Sequence, residues 1–462
     1  MESTTSNPMV CLPIEILLRI TSMLNTTELG AMRLTCKHIE RSLFNSFGYE
    51  FFRKKQFMLS DESLQTLIDI SRHEALSPLL KHLIIGLDRF DPSMSTFDSA
   101  DAALFYLVST GRQLSLVRTG RAVRMLKEAF ENLKNLETVS IRDFDGQYRT
   151  RDGPNARWGS YGASEIRRRI GRSLPISNTI ADDHATVVFT ITLAALAEAG
   201  CRLKNLEVLL RSRNWGLRDF GFDLSSQTCG TTTAVVSRLE KLHLDVYLNF
   251  VQTRVGSLTG HNVDPAIPGL LLRRFLAEAH QLTWLRLNFQ NSLVSVSDAF
   301  IENLGRGEAS MSSSQLLNLK RLDLGNAKFS SSKLVHALAN FAYLTGISIW
   351  KVNLHDTTAD DCCPNLWCDV LKQFAKMPAL NFLSVGLASQ QKPRSIRCPV
   401  TFAGKTTFNY TDNAIGQFLE SLIDVTEVLR PPTLAHVNDD EYEEGDGADD
   451  DEEGPESDAD DS

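Results

Sequence analysis

Leu319-Lys320-Arg321-Leu322-Asp323-Leu324, followed at once by Gly325-Asn326, carries leucine at its first, fourth and sixth positions. Leu322 and Leu324 stand two residues apart, the spacing that puts side chains on one face of a β-strand. With Ile or Val allowed for Leu, the same L-x-x-L-x-L order recurs at 80–85, 136–141, 239–244, 282–287, 344–349 and 380–385, and a degenerate copy spans 203–210. Between the copies lie segments with helical periodicity at 121–132, 271–280, 297–304, 333–341 and 367–375.

Strand, loop, helix, strand is the unit of a solenoid. Asn326 falls close to the Asn that closes a leucine-rich-repeat strand. The anchors at 239, 282, 319, 344 and 380 are mostly farther apart than the usual 20–29 residues of such repeats. The expectation is therefore an α/β fold in which an irregular leucine-rich-repeat-like array spans 79–430, with loops inserted between repeats. An ordinary α/β sheet is the alternative, and seven copies alternating with helices favour the array. If the strands pair in parallel, alternate residues face away from the helices: Lys241, His243 and Asp245, then Trp284, Arg286 and Asn288, Arg321 and Asp323, and Ser348 and Trp350. Trp284, Arg286, Asn288, Arg321, Asp323 and Trp350 are the expected substrate-binding set, with Trp284, Arg286 and Trp350 as anchors, since Trp and Arg dominate binding hot spots. The competing reading packs the two Trp side chains between repeats.

The N-terminal region has a different grammar. Pro13 precedes an amphipathic stripe at Ile16, Leu17, Ile20 and Leu24. Asn25 and Glu28 have the spacing of a capping box for a second short helix through Leu29 and Met32, and a third follows over 36–44. So small a unit buries too little surface to stand alone and calls for a partner. Residues 51–78 read as a helical linker.

The net charge of -9 is unevenly spread: positions 439–462 hold 15 of the 57 acidic residues and no Lys or Arg, leaving a mildly basic body. The tail over 431–462 and positions 1–8 are expected to be disordered. An Arg-rich insertion at 142–185, with Arg167-Arg168-Arg169, is expected to be a surface loop; its acids and sparse aromatics argue against nucleic acid as its ligand. Eight irregularly spaced cysteines and the absence of a signal or a spanning apolar run predict a soluble protein of the cytoplasm, the nucleus or both, with no membrane partner. Cys362, Cys363, Cys368, His355 and Cys398 lack the paired spacing of a zinc site, and Gly404-Lys405-Thr406 lacks the first Gly of a phosphate loop. No catalytic residue, metal or cofactor is expected.

Leu12-Pro13-Ile14-Glu15-Ile16-Leu17, then Ile20, Leu29, Leu34 and Cys36-Lys37, resembles the F-box. Thr35 stands where the family usually has Val, and Ile39 where it usually has an aromatic. The stretch from Phe51 to Leu83, and Arg157-Trp158-Gly159-Ser160-Tyr161-Gly162-Ala163, are similar to a group of ascomycete F-box proteins. The resemblance implies a three-helix F-box over 9–50 that docks on the Skp adaptor, and through it on the cullin scaffold of an SCF ubiquitin ligase. Its adaptor face would be Leu12, Pro13, Ile16, Leu17, Ile20, Leu29, Leu34 and Lys37. The array would then hold an unknown protein substrate, and the chain would be a non-catalytic subunit acting by proximity. The alternative is a repeat scaffold without ubiquitin transfer.

Overall fold

The computed structural model describes residues 9, 12–94, 96–147, 150–174, 183–211, 216–224, 229–261, 263–304, 316–341, 343–356, 365–392, 396–412 and 414–429. Its architecture is mixed α/β. Each L-x-x-L-x-L copy becomes a strand whose fourth and sixth residues point into a helical layer. The first Leu (Leu239, Leu282, Leu319, Leu344, Leu380) is buried in the turn just before the strand. The strands are β1 (Lys54–Met58), β2 (His82–Gly86), β3 (Thr138–Arg142), β4 (Asn205–Leu209), β5 (Lys241–Tyr247), β6 (Trp284–Phe289), β7 (Arg321–Gly325), β8 (Gly346–Trp350), β9 (Phe382–Gly386) and β10 (Thr407–Thr411). They pair in chain order, β1 through β9 parallel and β10 antiparallel to β9; Leu217–Arg218 adds a short strand beside β5.

Each crossover carries a helix, as parallel pairing requires. Helices Asp61–Arg72, Arg121–Asn132, His184–Glu198, Leu270–Ala277, Val294–Leu304, Ser331–Ala339 and Leu366–Ala375 form one layer against the sheet. Leu242, Leu285, Leu322, Ile347 and Leu383 meet this layer in a single continuous core.

Directly after β7, β8 and β9 the chain turns through a left-handed residue: Asn326, Lys351 and Leu387, with φ of 52°, 53° and 49°. That turn feeds a second parallel ladder, Lys328–Ser330, Asn353–His355 and Ser389–Gln391. The repeat therefore comprises strand, left-handed turn, short strand and helix.

Three helices precede the sheet: α1 (Ile14–Thr21), α2 (Thr26–Arg33) and α3 (Lys37–Phe52). The capping box is present at α2, with Asn25 Oδ1 accepting from Glu28 N at 2.9 Å and Glu28 Oε2 accepting from Asn25 N at 3.0 Å. Leu17, Leu29, Met32, Ile39, Leu43 and Phe51 form a small separate core.

Two expectations are corrected. Residues 51–78 are not a helical linker: β1 lies within them and forms an outer strand of the array, ahead of the helix Asp61–Arg72. The insertion is not a bare surface loop. Tyr161 N donates to Gln56 O of β1 at 2.9 Å, so the segment covers that strand's edge. Its helix Ala163–Ile170 buries Ile166 and Ile170 against Met58, Phe90 and Tyr106. An uncovered edge strand invites pairing with other chains, and this segment occupies it. Positions 1–8, 175–182 and 431–462, with Cys362 and Cys363, lie outside the described residues. Among the described residues no helix is long and apolar enough to cross a membrane.

Candidate functional site

The face of the sheet turned away from the helices is built in rows by the parallel register. Lys241, Trp284, Arg321, Gly346 and Phe382 are successive partners in one row. His243, Arg286, Asp323, Ser348 and Ser384 form the next, and Asp245, Asn288, Gly325, Trp350 and Gly386 the third. All six expected substrate-binding residues therefore stand on one surface.

Trp284 is the centre of the first row. Lys241 Nζ lies 4.9 Å and Arg321 Cζ 4.1 Å from its ring centroid, and its indole N–H donates to Asp323 Oδ2 at 2.9 Å. Arg321 Nε donates to the other oxygen of Asp323 at 2.9 Å, and its guanidinium also lies 4.6 Å from the Phe382 ring centroid. Arg321 can reach across because Gly346 has no side chain in between. The tryptophan is thus half-buried in a cation–aromatic row along the surface, rather than packed between repeats.

Glycines shape the third row in the same way. A Cβ at Gly386 would overlap the Trp350 ring, and one at Gly325 would overlap the Asn288 amide. Both side chains lie flat over the neighbouring strand's glycine. Asn288 Nδ2 donates to Asp245 Oδ1 at 2.6 Å, and Leu210 N donates to Asp245 Oδ2 at 2.7 Å. Burial pushes the Asp245 carboxyl up to about 6, against those two donors.

A further network, which the reading of the sequence missed, continues toward β2. His82 Nε2 is 2.6 Å from Ser140 Oγ, which donates to Glu207 Oε2 at 2.6 Å. Arg142 Nη2 and His243 Nδ1 approach the same carboxylate at 3.7 and 3.8 Å. Burial lowers His82 to about 3 and His243 to about 4, so both rings are neutral at pH 7. Burial alone would raise Glu207, but the positive charge that His82 and His243 carry when protonated, the Ser140 hydroxyl and Arg142 hold it below the usual carboxylate range. A serine nucleophile needs a histidine as base with the carboxylate behind that histidine. Here the carboxylate accepts the hydrogen bond of Ser140 itself, and Ser140 is fully buried. The signal for this network was the degenerate repeat at 203–210, whose register puts Glu207 beside Ser140 and His243.

These contacts tie down Asp245, Asp323 and Glu207. Arg286, beside His243 and Asp323, makes no ion pair or hydrogen bond among the described residues. The face therefore presents between two tryptophans a cation whose charge acts on Asp245 without forming an ion pair.

The expected adaptor residues divide by position. Leu17 (2 % exposed) and Leu29 are buried in the core of the three-helix unit, and Leu12 and Ile20 are half-buried. Pro13, Ile16, Lys37 and Leu34 (88 % exposed) are open, together with Ile14, Leu18 and Met23, which the reading omitted. Cys368 is half-buried, with burial raising its thiol and Ile423 O at 3.8 Å from its sulfur.

No family model matches the chain, and no curated protein matches it. Among solved structures, a leucine-rich repeat protein of Leptospira interrogans is similar over 74 % of this chain and 90 % of that one, at 9 % identity and a TM-score of 0.19. A likeness so slight carries no argument for fold or function.

Proposed function

We propose that the chain is the substrate-recognition subunit of an SCF-type ubiquitin ligase, with its N-terminal helices docking on a Skp adaptor and its array holding a protein substrate. The observation that supports this most directly is the apolar surface of the three-helix unit. A unit that keeps Leu17, Leu29 and Leu43 for its own core still leaves Ile14, Ile16, Met23 and Leu34 open to solvent. Exposed apolar side chains concentrated in so small a unit support a protein-interaction site there. The second surface, around Trp284, Arg286 and Trp350, suits an acidic segment of a substrate, because the acids beside Arg286 are already engaged. The chain's contribution to ubiquitin transfer is then proximity, raising the effective concentration of the acceptor lysine.

The test is co-expression of the full chain with a fungal Skp adaptor, comparing the wild type with Leu34→Asp and Ile16→Asp. Binding that both substitutions abolish supports the ligase subunit. Undiminished binding by the variants, or none by the wild type, removes the F-box reading and leaves a repeat scaffold without ubiquitin transfer.

A further inference from the structure

Helix Ala100–Arg118, in the connection between β2 and β3, carries an apolar stripe on its exposed side. The side turned to the protein carries Ala102, Tyr106, Thr110, Gln113 and Leu116, while the side turned to solvent carries Leu104 (63 % exposed), Leu107 (61 % exposed), Val108 and Leu114. With Gly111 between Val108 and Leu114, these residues follow three- and four-residue steps and make one stripe along the helix. Gly111 sits in the same stripe with open space where a side chain would stand. A glycine inside a helix is destabilising unless close approach of another backbone uses it, and among the described residues nothing approaches this one.

The ends of the stripe are oppositely charged: Asp101 lies in the first turn and Arg118 in the last, and neither makes an ion pair among the described residues. Two such helices laid antiparallel about a two-fold axis near Gly111 bring each Asp101 to the other copy's Arg118. Leucines then meet across the seam, and the two glycines let the backbones close. We propose that this face is a homodimer interface, an antiparallel pairing of Ala100–Arg118 with its copy. A self-complementary patch is what two-fold symmetry demands. A 19-residue helix is about 28 Å long, so the interface is at the small end of specific ones and the dimer should be concentration-dependent. This inference is independent of any role in ubiquitin transfer.

Sedimentation velocity on the full chain from about 1 to about 100 μM tests it, since that range spans weak interfaces. The expected result is a mass that rises with concentration from one chain of 51.5 kDa toward two. Leu107→Asp should hold the protein at the monomer mass throughout, with an unchanged melting curve because the site is exposed. Asp101→Arg should raise the dissociation constant about tenfold, and Asp101→Arg with Arg118→Asp should restore it. A wild type that is monomeric throughout, or a dimer that Leu107→Asp leaves intact, overturns the proposal. A dimer lost in Leu107→Asp but indifferent to the charge swap overturns the antiparallel pairing.

Discussion

Arg151 grips both carboxylate oxygens of Glu50, its Nε and Nη2 each 2.6 Å from one of them. Glu50 belongs to α3 and Arg151 to the insertion that lines the edge of β1, so the contact ties the N-terminal helices to the array. The third nitrogen, Nη1, donates to the carbonyls of Thr21 and Leu24 at 2.6 and 2.7 Å, capping the end of α1. Next to it, Asp152 accepts from the backbone N–H of Thr26 at 2.7 Å and from its hydroxyl, at the start of α2. A cation at one helix end and an anion at the start of the next both suit the helix dipoles.

Arg151→Ala strips four hydrogen bonds from charged nitrogens and leaves Glu50 uncompensated. Its cost should be about 2–3 kcal/mol, discounted for the partial exposure of Glu50. Hydrogen exchange should speed up over 14–52 and stay unchanged over 321–386. Uniform exchange across the chain would show that the insertion does not secure the helices.

Leu17 and Leu34 separate core from surface in the three-helix unit. Leu17→Ala should lower stability by about 2–3 kcal/mol, while Leu34→Ala should change it by less than about 0.5 kcal/mol. Chemical denaturation of both variants checks this; equal losses would contradict the placement of Leu34 in solvent.

Gly386→Ala should drive the Trp350 ring off the sheet, costing about 1–3 kcal/mol as an overpacked contact. Its tryptophan fluorescence should shift to the red as the ring gains water. An unshifted spectrum would mean that Trp350 does not lie over that glycine.

The buried titrating groups oppose one another in acid. His82 and His243 have folded pKa values, about 3 and about 4, below the unfolded value, so acidification destabilises through them. Asp245, at about 6, is raised above its unfolded value, so it gains stability as pH falls through about 6 toward 4. Between about pH 4.5 and 6 the unfolded chain binds two protons more on the histidines and one fewer on the aspartate. From these three groups alone the net is about one proton, or about 1.4 kcal/mol lost per pH unit on acidification, and Glu207, held below the usual carboxylate range, adds to the loss. Asp245→Asn should steepen the loss on acidification and His243→Gln should flatten it. Denaturation at a series of pH values reads the slopes, and identical slopes in all three proteins would refute the assignment.

Much of the array was legible because its apolar positions repeat in the chain itself. Leu319, Leu322 and Leu324 identify a strand and the turn before it without reference to anything distant, and 121–132 matches a helix at both ends. β1 was not legible. Gln56 and Met58 lie under the insertion while Phe57 enters the core, so neither side shows the polar alternation of a half-exposed strand. The short second ladder escaped notice because three residues are too few for a period. Within the candidate site, the side chains were legible from strand alternation, but their arrangement was not. That Trp350 rests on Gly386, or that Arg321 spans Gly346 to Phe382, depends on register between strands far apart in sequence.

The two ladders also bear on how the molecule responds to force. From β7 onward each repeat is joined to the next by the main sheet and again by the strands at 328–330, 353–355 and 389–391. Among the described residues, β1 to β6 have only the first of these joins, reinforced at one end by the insertion. A pull applied between the two ends of the array should peel the singly joined repeats first, in small steps, and leave the doubly joined block to rupture last as one unit. A partner held at Trp350 would therefore stay seated after much of the N-terminal half has been drawn out.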